Sequence, residues 1–281
     1  MTNNELQWSS ATPGLIIIMV DQSGSMRKPF DGSDSRSQFA AKAINRLIQT
    51  INEKNYDGKK LKNRCFIMVI GYDATATKLT SGFIQKLKDN PIRIDEVTKM
   101  VPDGCGGLVP INSKMPIWVE PIPEDRNLPT NMKAAFELAQ KTIEKWISDK
   151  PENPAPVIIN ISDGKPYYDK KDEKECVDET IGVVNQIKAI MTNDGPVQIF
   201  NVMLREGPKI VLPSSVEDLS DDYSKFVFEI STEIPEGYKP AAKKNGLPDF
   251  EKGARGAVIN ADAEYLVKLI NFGSSMGLGD K

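Results

Sequence analysis

Histidine is absent from all 281 residues, and that absence closes several routes to chemistry. Ser-His-Asp and Cys-His catalysis, the HExxH metalloprotease motif and nearly every histidine-ligated zinc site need an imidazole. Cysteine is scarce: Cys65, Cys105 and Cys176 stand far apart with no CxxC pair. An odd, sparse set argues for a reducing compartment and against a disulfide framework. Positive charge is not in excess, since the formal net charge is −3. A nucleic-acid partner, which calls for a basic patch, is therefore not expected. No apolar run approaches the ~18 residues of a membrane span. Met1 to Glu5 lacks the basic and apolar regions of a secretory leader, so the expected location is cytoplasmic, with no membrane partner.

What is present is an alternation of strand and helix patterns. Leu15 to Val20 is an unbroken apolar run, as in a parallel strand covered on both faces. Apolar residues from Phe39 to Ile51 recur at helical spacing and predict a helix over about 37–54. Phe66 to Ile70, Val157 to Ile161 and Val197 to Leu204 read as further buried strands, with Thr75 to Phe83 as an edge strand. Helices are expected from Pro129 onward, at about 172–193, and over Asp222 to Ile234. Ala257 to Asn260 is a short candidate strand. The fold class that follows is α/β: a doubly wound, mainly parallel sheet flanked by helices.

The expected organisation is an N-terminal arm (1–13), a main domain (14–205) and a C-terminal extension packed on it (206–281). Residues of about 89–129 hold seven prolines and show little periodicity. That stretch reads as a long insert forming a decorated surface segment near a site. Trp8, Trp118 and Trp146 are expected as packing residues.

The chemistry concentrates where strands end. Asp21-Gln22-Ser23-Gly24-Ser25 follows the first strand directly, so one carboxylate and two hydroxyls leave a buried strand at alternate positions. Hard divalent cations take such oxygen ligands while keeping some water. Taken singly, Ser23 or Ser25 reads more readily as a helix cap than as a ligand. Two more oxygens stand at other strand ends, Thr130 at the start of a helix and Asp163 after Val157–Ile161. Carboxyl ends of strands in one parallel sheet share an edge, where ligands bind. Tyr167, Tyr168 and Asp169 lie just beyond, as a rim or as an exposed loop.

Asp21-Gln22-Ser23-Gly24-Ser25, Pro129-Thr130-Asn131 and Ser162-Asp163-Gly164-Lys165-Pro166 together resemble the von Willebrand factor type A family, which includes the integrin inserted domains. The resemblance covers about residues 14–205 and implies a Rossmann-like fold with a metal-ion-dependent adhesion site (MIDAS) at Asp21, Ser23, Ser25, Thr130 and Asp163. By that resemblance Ser23 and Ser25 bind the metal directly, Thr130 directly or through water, and Asp21 and Asp163 mostly orient waters. Mg²⁺ is the expected ion, with Mn²⁺ or Ca²⁺ as alternatives, and a partner's Glu or Asp completes the coordination. One departure is Asn127-Leu128-Pro129, where the family often has glycines. The tail resembles a bacterial intracellular subgroup often linked to serine/threonine kinases and PP2C-type phosphatases.

The expected function is thus a non-enzymatic, metal-dependent protein-binding adaptor in signalling or stress response. A metal-dependent phosphohydrolase with Asp21 as nucleophile is one alternative. Haloacid-dehalogenase-type phosphatases carry a second Asp two residues on, where this chain has Ser23, and no phosphate-binding GxxxxGK[ST] loop occurs. A structural subunit of a permanent complex is the other.

Overall fold

Six apolar residues in succession leave a strand no face to show to water, so Leu15 to Val20 must lie at the centre of whatever sheet forms. In the computed structural model, which describes residues 4–32, 34–102, 107–122 and 128–275, this is the outcome. Every residue of β1 (Gly14–Asp21) is buried. It pairs in parallel with β6 (Cys65–Tyr72) on one side and β10 (Val157–Ser162) on the other. β11 (Gln198–Met203) and β13 (Ala257–Ile259) extend the parallel set beyond β10. Antiparallel strands close both edges: β7 (Ala76–Phe83) beside β6, and β12 (Ile210–Val211) beside β13. The full order is β12-β13-β11-β10-β1-β6-β7.

Alternate side chains of β1 serve two cores. Ile16, Ile18 and Val20 pack with α1 (Arg36–Lys54), α2 (Ile84–Asp89), α6 (Lys239–Lys244) and α7 (Ala263–Ser275). Leu15, Ile17 and Met19 pack with α3 (Met132–Asp149), α4 (Glu173–Lys188) and α5 (Asp222–Ile230). The doubly wound α/β architecture read from the sequence is therefore the observed one. No helix among the described residues is long and apolar enough to cross a membrane.

Several local expectations are revised. Much of the 89–129 segment is a long antiparallel hairpin, β8 (Arg93–Pro102) with β9 (Leu108–Ile117). Its pairs mix apolar and polar residues on both faces, so no period-2 signal marks it. After the hairpin the chain returns to the core, where Trp118, Val119 and Ile122 are buried. Residues 206–275 are more than an extension, because β12 and β13 complete the central sheet. The arm is tied down as well: Asn4 N donates to Asp194 O at 2.9 Å and Trp8 is buried. Trp8 lies against Gly14 so closely that a Cβ there would sit 2.2 Å from the indole. Two minor pairs decorate the surface, β2 (Pro29–Asp31) with β3 (Asp34–Ser35) and β4 (Tyr56–Asp57) with β5 (Lys60–Leu61). Cys65 and Cys176 are buried thiols, while Cys105 and Asn127 lie outside the described residues.

Candidate metal centre

Numbering only the parallel strands in chain order gives the spatial order 2-1-3-4-5, with the direction of winding reversing between β1 and β10. Such a reversal opens a crevice at the carboxyl ends of the two strands. Asp21 closes β1 and Asp163 follows β10, so the two carboxylates flank that crevice.

The turn after β1 is fixed by its own polar groups. Ser23 N donates to Asp21 Oδ1 at 2.7 Å. A single 3-10 turn, Gly24–Arg27, follows and buries Met26 completely. Ser23 occupies the N-cap position of that turn, yet its hydroxyl makes no capping bond. It lies 3.1 Å from Ser25 Oγ, and Ser25 Oγ donates to Asp163 Oδ1 at 2.7 Å. Both serine hydroxyls therefore turn toward the crevice rather than toward helix amides.

Backbone bonds bring the third segment in. Gly24 N donates to Leu128 O at 3.2 Å, and Asn131 N donates to Asp73 O at 2.6 Å. Thr130 and Tyr167 exchange two bonds, Thr130 N to Tyr167 O at 2.8 Å and Tyr167 N to Thr130 O at 3.0 Å. Thr130 is therefore not the first residue of the helix, as the sequence suggested. The bridge consumes its backbone groups, and α3 starts after Asn131, whose side chain accepts from Ala134 N. Thr130 lies at the same sheet edge as the other four residues, and its hydroxyl has no hydrogen-bond partner among the described residues. Of the candidate rim, Tyr167 is exposed, whereas Tyr168 is buried and donates to Glu179 Oε2 at 2.6 Å.

One atom tests whether these residues suit a cation. Asp21 Oδ2 is fully buried with no hydrogen-bond partner among the described residues. An isolated buried carboxylate oxygen is costly unless something positive or hydrogen-bonding meets it. The carboxyl responds as expected, its pKa pushed up to about 7 by burial first and by the charge of Asp163 second. Hydrogen bonds from Ser23 act in the opposite direction. A group of two carboxylates and neutral hydroxyls, with one oxygen unsatisfied, suits a hard divalent ion. Among the described residues no third acid, cysteine or histidine joins them.

Three neighbours were missed in the sequence. Arg36, the first residue of α1, donates from Nη1 to Asp163 Oδ2 at 2.5 Å. Tyr72 stands level with Asp21 in the β1–β6 register and donates to Asn160 Oδ1 at 2.9 Å. Burial first, then the charge of Asp21, raises the Tyr72 phenol well above its ordinary pKa. Asn160 continues the chain through Nδ2 to Asn201 Oδ1 at 3.0 Å, giving the crevice a hydrogen-bonded floor. The one signal available was Asn160 itself, a lone amide inside an apolar strand.

No family model and no curated protein matches the chain. Among solved structures it is similar to the conserved hypothetical protein BatB from Bacteroides thetaiotaomicron, at 15% identity over 94% of this chain and 98% of that one, TM-score 0.47. It is also similar to the manganese-loaded TRAP protein of Plasmodium vivax, at 14% identity over 93% and 73% of the two chains, TM-score 0.43. A third is the ArnB paralog VWA2 from Sulfolobus acidocaldarius, at 17% identity over 73% and 44%, TM-score 0.37.

A groove of about 570 Å³ opens beside the crevice, lined by Arg36, Arg205, Lys209, Asn260, Asp262 and Glu264 among others.

Proposed function

We propose that this chain is a protein-binding module that captures an acidic residue of its partner through a divalent cation held by Asp21, Ser23, Ser25, Thr130 and Asp163. The observation that carries this reading is the orphaned Asp21 Oδ2, buried at a strand reversal beside two uncapped serine hydroxyls. A bound Mg²⁺ or Mn²⁺ supplies an electrophilic point for a carboxylate from outside. The chain's own groups do the rest. Asp21 and Asp163 bring negative charge, Ser23, Ser25 and Thr130 offer neutral oxygens, and the Tyr72–Asn160 pair fixes the floor. Neutral oxygens in the inner set leave more of the positive charge for the partner to neutralise.

The resemblance to von Willebrand factor type A domains supports the same assignment of residues. Its bacterial intracellular subgroup supports a cytoplasmic adaptor, with a serine/threonine kinase or a PP2C-type phosphatase as the partner class to test first. No bond is broken in this mechanism, so the proposal is a binding module and not an enzyme.

The test is calorimetric titration of Mg²⁺ and Mn²⁺ into metal-free protein, with Asp21→Ala and Thr130→Ala alongside. One-to-one binding, abolished in Asp21→Ala and weakened in Thr130→Ala, is the expected result. Wild type that binds neither ion, or an Asp21→Ala variant that binds as wild type does, overturns the proposal.

A further inference from the structure

Arg36 stands where a cation is poorly placed. It opens α1, whose first turn holds no acidic side chain, and the positive end of the helix dipole disfavours a guanidinium there. Its side chain is 9% exposed, so water offsets little of that cost. Nε is buried without a hydrogen-bond partner among the described residues. What holds the group is Asp163, whose Oδ2 accepts from Nη1, while Arg36 N donates to Lys28 O at 3.0 Å. Buried ion pairs are often no more stabilising than apolar residues of similar volume. Fold stability alone therefore gives little reason for an arginine here.

Charge arithmetic gives a better one. With a cation bound and both carboxylates ionised, Asp21 and Asp163 bring two negative charges to the crevice and Arg36 returns one positive, so the protein's own share is −1. Adding a divalent ion makes the sum +1; without Arg36 it would be 0. A centre left positive binds its cation less tightly but attracts an external carboxylate more strongly. Arg36 also lines the adjoining groove, where Arg205 and Lys209 are matched by Glu206, Asp262 and Glu264 and Lys209 pairs with Asp262 at 2.7 Å, so Arg36 is the cation that bears directly on Asp163.

We propose that Arg36 sets the charge of this centre, weakening cation binding in order to strengthen capture of a partner's carboxylate. The inference rests on the reading of the crevice as a divalent-cation site. Arg36 then acts by its charge on the centre, without ligating the cation and beyond any bracing of Asp163.

Mn²⁺ affinity is measured by calorimetry on the full chain for wild type, Arg36→Lys, Arg36→Gln and Arg36→Met. Water-proton relaxation of each Mn²⁺ complex is then followed during acetate titration, since acetate displaces metal-bound water. Arg36→Gln is expected to bind Mn²⁺ about tenfold more tightly and to need about tenfold more acetate for half-displacement. Arg36→Met, in which an apolar chain fills the volume, should agree with Arg36→Gln and replaces it if the glutamine variant does not fold. Arg36→Lys keeps the charge and should stay within about threefold of wild type on both readouts. Charge-removing variants that bind Mn²⁺ equally or less tightly overturn this inference alone, making Arg36 a brace for Asp163. Wild type that binds no Mn²⁺ overturns the cation site and this inference with it.

Discussion

Ser25 Oγ donates to Asp163 Oδ1 at 2.7 Å, joining two residues 138 positions apart in the chain. The bond links the turn after β1 to the end of β10, so it spans the crevice where the sheet's winding reverses. Ser25 is thus both a strut between two strand ends and an oxygen for a cation. The two roles separate experimentally.

Ser25→Ala removes two part-buried hydrogen bonds, to Asp163 and to Ser23, together a loss of about 1 kcal/mol. Metal-free melting temperature should fall by only about 2–4 °C. Divalent affinity should fall at least tenfold, because a ligand and the tether on Asp163 go together. Thermal melts with and without Mn²⁺, plus calorimetry, give both numbers. A large loss of stability with unchanged affinity would make Ser25 a strut only.

Asp21 predicts an unusual pH dependence for the metal-free protein. Its folded pKa lies at about 7, against an ordinary value of 3.8. Between those values the folded chain keeps the proton and the unfolded chain has released it. Stability therefore falls as pH rises across that window, by up to about 1.4 kcal/mol per pH unit. Asp21→Asn, which cannot ionise, should lose this slope. Cation affinity should have the opposite sign, rising with pH and levelling above about 7. Melting temperatures at pH 5 and 7.5, for wild type and Asp21→Asn, check the first part. Mn²⁺ titrations at the same two pH values check the second.

Asn45 tests how firmly the hairpin is rooted. Its Oδ1 accepts from Trp118 N at 2.8 Å and Val119 N at 3.0 Å, and its Nδ2 donates to Val119 O at 2.9 Å. All of these groups are buried, so Asn45→Ala strands two donors and an acceptor. The expected cost is about 3 kcal/mol by denaturant unfolding. Proteolysis should cut first near the β8–β9 hairpin if its base has loosened.

What the sequence disclosed and what it withheld divide along physical lines. The central strands were legible because burial on both faces leaves an apolar run, as Leu15 to Val20 and Val157 to Ile161 show. Asp21, Ser23 and Ser25 were legible because their spacing is local. Arg36 was not, since its role comes from Asp163, which lies 127 positions away. The hairpin was hidden because its paired residues, such as Thr98 with Asn112 and Glu96 with Lys114, follow no strict apolar–polar alternation along the strands. The place of β13 inside the sheet was hidden for another reason. Three buried residues, Ala257 to Ile259, carry too little pattern to reveal that they extend a sheet beside β11. Thr130 was placed as the first residue of its helix because the bridge to Tyr167 is a long-range backbone event that leaves no mark on composition.

Glu179 provides a test of how the site's segments are held. Its Oε1 accepts from Lys171 Nζ at 2.6 Å, and its Oε2 accepts from Tyr168 OH at 2.6 Å and Lys133 Nζ at 3.1 Å. Lys133 lies in the first turn of the helix after Thr130, and Tyr168 and Lys171 lie in the loop after Asp163, so one carboxylate ties both segments to α4. The hydrogen bond from Lys171, then those from Tyr168 and Lys133, hold its pKa at about 2, below the ordinary 4.5. A depressed carboxylate stabilises the fold above its unfolded pKa, and that contribution is lost as pH falls from about 4.5 toward 2. The stability gap between wild type and Glu179→Gln should therefore be full at pH 7 and clearly smaller at pH 3. Mn²⁺ affinity at pH 7 should drop severalfold in Glu179→Gln, because Thr130 and Asp163 lose a shared anchor. A pH-independent gap with unchanged Mn²⁺ affinity would show that Glu179 serves only to pack α4 against α3.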